Sequence, residues 1–264
     1  MSTIKRSNIR WISILTWLSL ASAALGQSDA PNGGDADSAF PIPAHRTVHE
    51  VLRNGSKVGE VHSTLSQDER GIWFFETDTV ATSTLARMLR LSAEESAHFL
   101  WREDHVLPLT YRNISRAPLR TRFWQHELHW DEHVSESVTH QGELRIPLED
   151  GLLDPLTLRL QVSAWLHEPE RRGQNFEFRV LERDQIETQR VDDLGAETIE
   201  VNGQCYETRK LRRFRREGSS RNYLMWLAPA QHWLPVRIEL GDEDDDIVLR
   251  LIESSLPVAD QNCD

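Results

Sequence analysis

The chain has 264 residues, with 42 Asp and Glu against 30 Lys and Arg, and a formal charge of −12 at pH 7. A chain this acidic repels phosphate backbones, which excludes general nucleic-acid binding as an expectation. The length suffices for one large β domain or two small ones.

At the N-terminus Lys5, Arg6 and Arg10 form a positive region, and residues 11–20 an apolar one interrupted by Ser13, Thr16 and Ser19. Small residues follow, and Ala24 and Gly26 suit a cut before Gln27, with Ala21 and Ala23 offering an earlier one before Ala24. The apolar run falls well short of the ~20 residues that span a bilayer. The expectation is a cleavable signal peptide over 1–26 and a mature chain without a transmembrane anchor; a retained signal anchor is the alternative. No Cys stands near the cleavage region, so no lipid-anchor signal is expected. Losing the three basic residues takes the charge from −12 to −15, because no Asp or Glu precedes Asp29. In an oxidising compartment the two cysteines, Cys205 and Cys263, are a possible disulfide; two unpaired thiols are the competing reading.

Residues 27–44 are rich in Ser, Asp, Gly, Ala and Pro and predict a disordered or extended lead-in. A single β-rich domain is expected over 45–256, with a tail over 257–264. It opens with a hairpin, 47–52 and 58–65, around Asn54-Gly55, a dipeptide suited to a tight turn. A third strand over 72–82 carries Trp73, Phe74 and Phe75. Residues 85–101 read two ways: Ser92 and Glu95 fit a helix capping box, while the flanks read as strand. Leu107-Pro108 leads into another strand through Tyr111. From 121 to 140 the pattern alternates, with Trp124, Leu128, Trp130, Val134 and Val138 on one face. Gln125, Glu127, His129, Asp131, His133 and Ser135 take the other, as in a half-buried antiparallel strand or hairpin.

The best-signalled helix has Asp154 as cap, Pro155 at its first position and the apolar stretch 156–167. Strands resume at 176–181, 185–191 and 197–201; then 205–215 pairs with 223–227, and 235–240 and 247–253 flank an acidic run over 242–246. The sum is mainly β (α+β): a single curved, mostly antiparallel sheet or half-barrel with one or two packed helices.

His129, Asp131 and His133 would project from one face of a strand and could chelate a metal, since both residue types ligate zinc. A solvated outer face is the blander reading and is favoured. The acidic run lacks the spacing of a calcium loop and reads as a charged hairpin tip. Arg209, Lys210, Arg212, Arg213, Arg215 and Arg216 stand out in an acidic chain, either as an anion site or as partners of nearby carboxylates. Nucleophile-elbow, Cys-x-x-Cys, His-Glu-x-x-His and phosphate-loop motifs are missing, so no catalytic residue and no cofactor is expected. Aromatic residues on a concave sheet face could receive an apolar ligand, which makes Trp73, Trp124, Trp130, Trp226, Arg213 and Arg215 candidate ligand-binding residues; core filling is the alternative.

The order of features resembles the periplasmic family Domain of Unknown Function 3108. The resemblance rests on the Asn54-Gly55 hairpin with Gly59, on Glu95-Ser96 before Leu107-Pro108-Leu109 and Tyr111, and on Asp154-Pro155-Leu156. Gly203, Trp226 and Leu234-Pro235-Val236 complete it, over residues 48–253. It implies a Gram-negative exported protein with a curved antiparallel sheet, distantly similar to periplasmic half-barrel lipoprotein carriers, and it carries over no catalytic residue. The acidic run departs from the short Gly-containing turn expected at the C-terminal hairpin. The leading expectation is a non-enzymatic periplasmic protein of the cell envelope that binds a lipid or other amphipathic molecule on a concave face. The alternatives are a structural or interaction module of an envelope complex and a metal-assisted envelope hydrolase.

Overall fold

Short alternating segments joined by tight turns wind into an antiparallel meander. A computed structural model describes residues 39–83, 92–117, 120–214, 222–241 and 246–257. The expected signal peptide, most of the lead-in, Arg215, Arg216, residues 242–245 and Cys263 lie outside the described residues.

The first arm comprises β1 (His45–Arg53), β2 (Ser56–Gln67), β3 (Trp73–Ala81), β4 (Ser92–Arg102), β5 (His105–Ala117), β6 (Arg120–His129), β7 (Val134–Thr139) and β8 (Gly142–Pro147). Helix α1 (Thr157–Leu166) follows. The second arm is β9 (Phe176–Glu182), β10 (Gln185–Val201), β11 (Gln204–Phe214), β12 (Asn222–Ala228), β13 (Leu234–Gly241) and β14 (Asp246–Ser254). These form one sheet ordered β8-β7-β6-β5-β4-β3-β2-β1-β14-β13-β12-β11-β10-β9. The chain therefore starts in the middle, winds out to one edge, crosses through α1 to the other edge and winds back to pair β14 with β1. Twist accumulates over so many strands. Register breaks in β1, β4, β10 and β12 add bends, so the sheet curls around α1 without closing.

Asn54 and Gly55 adopt φ of 49° and 77°, as the first hairpin requires. At Gly59 a Cβ would stand 2.7 Å from the Val80 carbonyl oxygen of the neighbouring strand, so the close approach of β2 and β3 admits only glycine.

The Asp154 cap is borne out: its Oδ1 accepts from the backbone N–H of Leu156 and Thr157 at 2.8 Å each. Eight of the ten residues of α1 are buried, because the helix lies within the curl of the sheet. Leu156, Leu158, Leu160, Val162 and Leu166 share one core with Leu65, Phe75, Phe99, Phe178, Leu211, Met225 and Leu227. The polar residues of α1 tie it to both arms. Gln161 accepts from the Val106 N–H at 2.6 Å, and Ser163 donates to the Trp233 carbonyl at 2.8 Å. Leu160→Ala is expected to cost about 2–5 kcal/mol, as large-to-small changes in a closed core do, measured as a lower urea midpoint.

The structure settles one open reading and corrects two expectations. Residues 92–102 are strand, not helix, because pairing with β3 and β5 on both sides outweighs the local capping signal. The alternation over 121–140 is broken by a turn at 130–133, so parity flips: Ser135, Ser137 and Thr139 face inward, and Val138 is 46% exposed. The end of the lead-in is packed rather than disordered. Ile42 is fully buried, and Phe40 lies edge-on to Trp73 and Phe99. Among the described residues, no helix is long and apolar enough to cross a membrane.

Candidate functional site

The sequence-predicted residues do not gather in one place. His129 ends β6, whereas Asp131 and His133 belong to the turn, and His133 has a φ of 52°. A turn cannot project alternate residues from one face, so the chelating row dissolves. Among the described residues, no group of three or more His, Cys, Asp or Glu could hold a metal ion.

The tryptophans divide among separate clusters. Trp73 stacks on Phe99 in the main core, with ring centroids 6.3 Å apart. Trp226 belongs to a second cluster with Val201, Tyr206, Val236 and Leu251, under the cations of Lys210 and Arg237. Trp130 donates to the Pro108 carbonyl at 2.6 Å and packs near Leu128, Ile146 and Leu181. Trp124 lies beside Arg183 and His140. No common Trp-lined face results.

Within the basic cluster, Arg209 bonds Asp193 at 2.6 Å and Lys210 stands 3.5 Å from Glu197. Arg213 is buried, donates to Gln189 Oε1 at 2.7 Å and lies over the Tyr223 ring. Cys205 is buried and disulfide-bonded.

What the fold does assemble is a cluster of polar side chains, called the chamber below, between the first turns of α1 and the inner face of β4–β7. Inward positions on β4 run Ala93, Glu95, Ala97, Phe99, and register places Glu95 opposite Asn113 and Ala97 opposite Tyr111. Glu95 Oε1 accepts from the Tyr111 hydroxyl at 2.8 Å and from Asn113 Nδ2 at 3.0 Å. Its other oxygen accepts from Arg159 Nη2 of α1 at 3.1 Å. On β6 and β7, His126 stacks parallel to Tyr111 at 5.9 Å, and its Nδ1 lies 2.7 Å from Ser137 Oγ. Three buried atoms here have no hydrogen-bond partner among the described residues: Arg159 Nε, His126 Nε2 and Asp154 Oδ2. Such atoms are uncommon in native interiors.

The charges follow from this geometry. Burial pushes the Glu95 carboxyl upward, but Arg159, Tyr111 and Asn113 more than offset it, so Glu95 ionises below the usual carboxylate range. Burial raises the Tyr111 phenol well above its usual value, and the Glu95 charge raises it further. Desolvation lowers the His126 imidazole to about 4 and raises Asp154 to about 6. The side chains of Glu95 and Arg159 keep 15% and 32% of their exposure, so this end of the chamber reaches solvent. It lies toward the end of the sheet where β3 leads to β4, β5 to β6 and β11 to β12.

Chemically, the chamber offers a fixed ion pair and a neutral imidazole beside apolar walls. Ser137 and His126 stand at the spacing of a nucleophile and its base, and among the described residues no carboxylate bonds His126 Nε2 as the orienting group of a triad would.

A signal for the chamber was present in the sequence. Glu95, Tyr111 and Asp154 all lie in the motifs that carry the family resemblance, and His126 interrupts an apolar parity between Trp124 and Leu128.

The family model described as "Protein of unknown function (DUF3108)" matches residues 47–252. Among solved structures the chain is similar to a β-barrel-like protein of domain of unknown function DUF1849 from Brucella abortus. That match has a TM-score of 0.56 and 8% identity, over 83% of this chain and 100% of that one. A structure of MucB matches with a TM-score of 0.32 and 10% identity, over 84% of this chain and 56% of that one. No curated protein matches the chain significantly.

Proposed function

The chain belongs to the DUF3108 family, and from that premise we propose that it is an exported, non-enzymatic envelope protein whose chamber receives an amphipathic molecule. The reading rests on one observation: an ion pair, Glu95–Arg159, set on the concave face with an unpartnered guanidinium nitrogen and an opening to solvent. Partly buried Tyr223, Leu240 and Leu249 adjoin the main core and would meet an apolar chain. The polar end of the ligand would then meet Arg159, whose planar fork binds carboxylate or phosphate oxygens. Export follows from the basic, apolar and small-residue succession over 1–26.

Two measurements test it. N-terminal sequencing of the protein from a periplasmic fraction should begin near Gln27; an intact Met1 in the cytosol would remove the export reading. Native mass spectrometry of that material should show an added lipid-sized mass, reduced at least tenfold in Asn113→Trp, which narrows the chamber. A bare chain mass, with tryptophan emission unchanged on titration with a lysophospholipid, overturns the ligand reading.

A further inference from the structure

A second site lies outside the chamber, across the gap between the two arms of the open sheet. The chain carries an excess of carboxylates, and its arginines commonly find one. Arg70 pairs with Asp68, Arg116 with Glu94, Arg179 with Glu149, Arg209 with Asp193 and Arg250 with Glu50. Arg120 and Arg122 break this pattern: neither has an ion-pair partner among the described residues, and the buried Nε of Arg122 has no hydrogen-bond partner. Both line a pocket of about 220 Å³ that also takes in Trp124, His140, Arg183 and Asp184.

The pocket is composite. Arg120, Arg122 and Trp124 come from β6 and His140 from the turn after β7, all on the first arm. Arg183 and Asp184 form the β9–β10 turn on the second arm. The arms touch through the Trp124 ring. The Arg183 guanidinium lies 5.4 Å over it, and His140 meets it edge-on at 5.3 Å and 85°. Arg183 turns with a φ of 63°, and its nearest carboxylate contact is a loose 3.9 Å to Glu182.

Among the lining side chains, three guanidinium groups face the single carboxylate of Asp184, an excess of two positive charges with Glu182 only loosely placed beside Arg183, inside a protein whose overall charge is −12. That count selects among anions. A carboxylate brings one charge, whereas a phosphate monoester brings about −1.5 to −2 at neutral pH and three strong acceptor oxygens. Guanidinium forks bind such oxygens in pairs. Three like charges with one lining carboxylate among them repel, so an occupant that neutralises the excess is favoured by the geometry itself.

We propose that this pocket binds a phosphate monoester group, held by Arg120, Arg122 and Arg183 over the Trp124 ring. The site is separate from the Glu95–Arg159 chamber and stands without it. The phosphate has two chemical sources, a soluble phosphate ester or the headgroup of a phosphomonoester lipid. Because its ligands come from both arms, occupancy adds a tie between flanks that already meet where Leu128 and Ile146 pack with Leu181, and raises thermal stability as ligand concentration rises.

Calorimetric titration of the full chain with inorganic phosphate and with glycerol 3-phosphate tests the site. A co-sedimentation assay uses vesicles of phosphatidylcholine with and without phosphatidic acid. The double variant R120Q/R122Q should bind at least tenfold more weakly than wild type. R70Q, which removes a charge at the distant β2–β3 turn, should stay within twofold. Circular dichroism of R120Q/R122Q should match wild type, since Arg120 is exposed, Arg122 is only half-buried and glutamine keeps both side chains polar. Saturable binding of the soluble esters alone identifies a soluble ligand. Sedimentation that requires phosphatidic acid and fails in R120Q/R122Q identifies the lipid headgroup. Absence of binding by every probe overturns the proposal. So does equal binding by R120Q/R122Q, or acetate competing as well as phosphate.

Discussion

Arg159→Met is expected to destabilise the protein by about 3 kcal/mol, the low end of the range for breaking one partner of a buried ion pair. The low end applies because the Arg159 side chain keeps 32% of its exposure, and water reaching the chamber screens what remains. The loss is large because the stranded partner is Glu95, which is held ionised by Arg159, Tyr111 and Asn113 and is only 15% exposed. Glu95→Gln should cost less, by about 1 kcal/mol or more. Its amide oxygen still accepts from Tyr111 and Asn113, and the stranded guanidinium is the more exposed of the pair. The double variant Glu95→Gln/Arg159→Met should recover much of the loss, since neither charge is then left alone. Urea unfolding of the three variants measures this. Equal losses in the two single variants, or strict additivity in the double, would show that the pair is not the coupled unit described here.

The same pair shows what a sequence gives away and what it withholds. The Asp154 cap and the Asn54-Gly55 turn were legible because their causes are local: Asp154 accepts from N–H groups two and three positions on, and Asn54 and Gly55 adopt the positive φ that the turn needs. The antiparallel meander followed from such turns, since a hairpin pairs what it joins. Glu95 was harder. Three residues after Ser92 it satisfies a helix cap as well as a strand position, and only pairing with β3 and β5 decides between them. Once β4 is a strand, its inward parity puts a carboxylate among Ala93, Ala97 and Phe99, which is the mark of a site. The turn at 130–133 carries no Gly or Pro, so the alternation reads straight through it and places Ser135 on the wrong face. Arg120, Arg122 and Arg183 were illegible for another reason. They meet across the gap between two arms, and no local pattern encodes a contact between residues about sixty positions apart.

Acidification from pH 6.5 to 4 should pull on the chamber from two sides. His126 is fully buried, and burial lowers its imidazole to about 4 from 6.5, so the folded state stays neutral where the unfolded chain takes a proton. Its contribution is present above pH 6.5 and lost as pH falls toward 4, a swing of about 3 kcal/mol. Asp154 runs the other way. Burial raises it to about 6 from 3.8, so the folded state keeps a proton that the unfolded chain has released. Its contribution is present below pH 3.8 and lost as pH rises toward 6, again about 3 kcal/mol. The two nearly cancel in the wild type. His45, His49 and His167, each lowered by burial, and Glu95, lowered on balance by its partners, leave a net loss of stability in acid. Single variants separate the opposing parts. Asp154→Asn keeps a capping oxygen while removing the titration, so its loss of stability between pH 6.5 and 4.5 should be steeper than wild type. His126→Gln should be shallower, and the two slopes should straddle the wild type by a total of several kcal/mol. Three parallel curves of unfolding free energy against pH would mean that neither buried group titrates as its surroundings dictate.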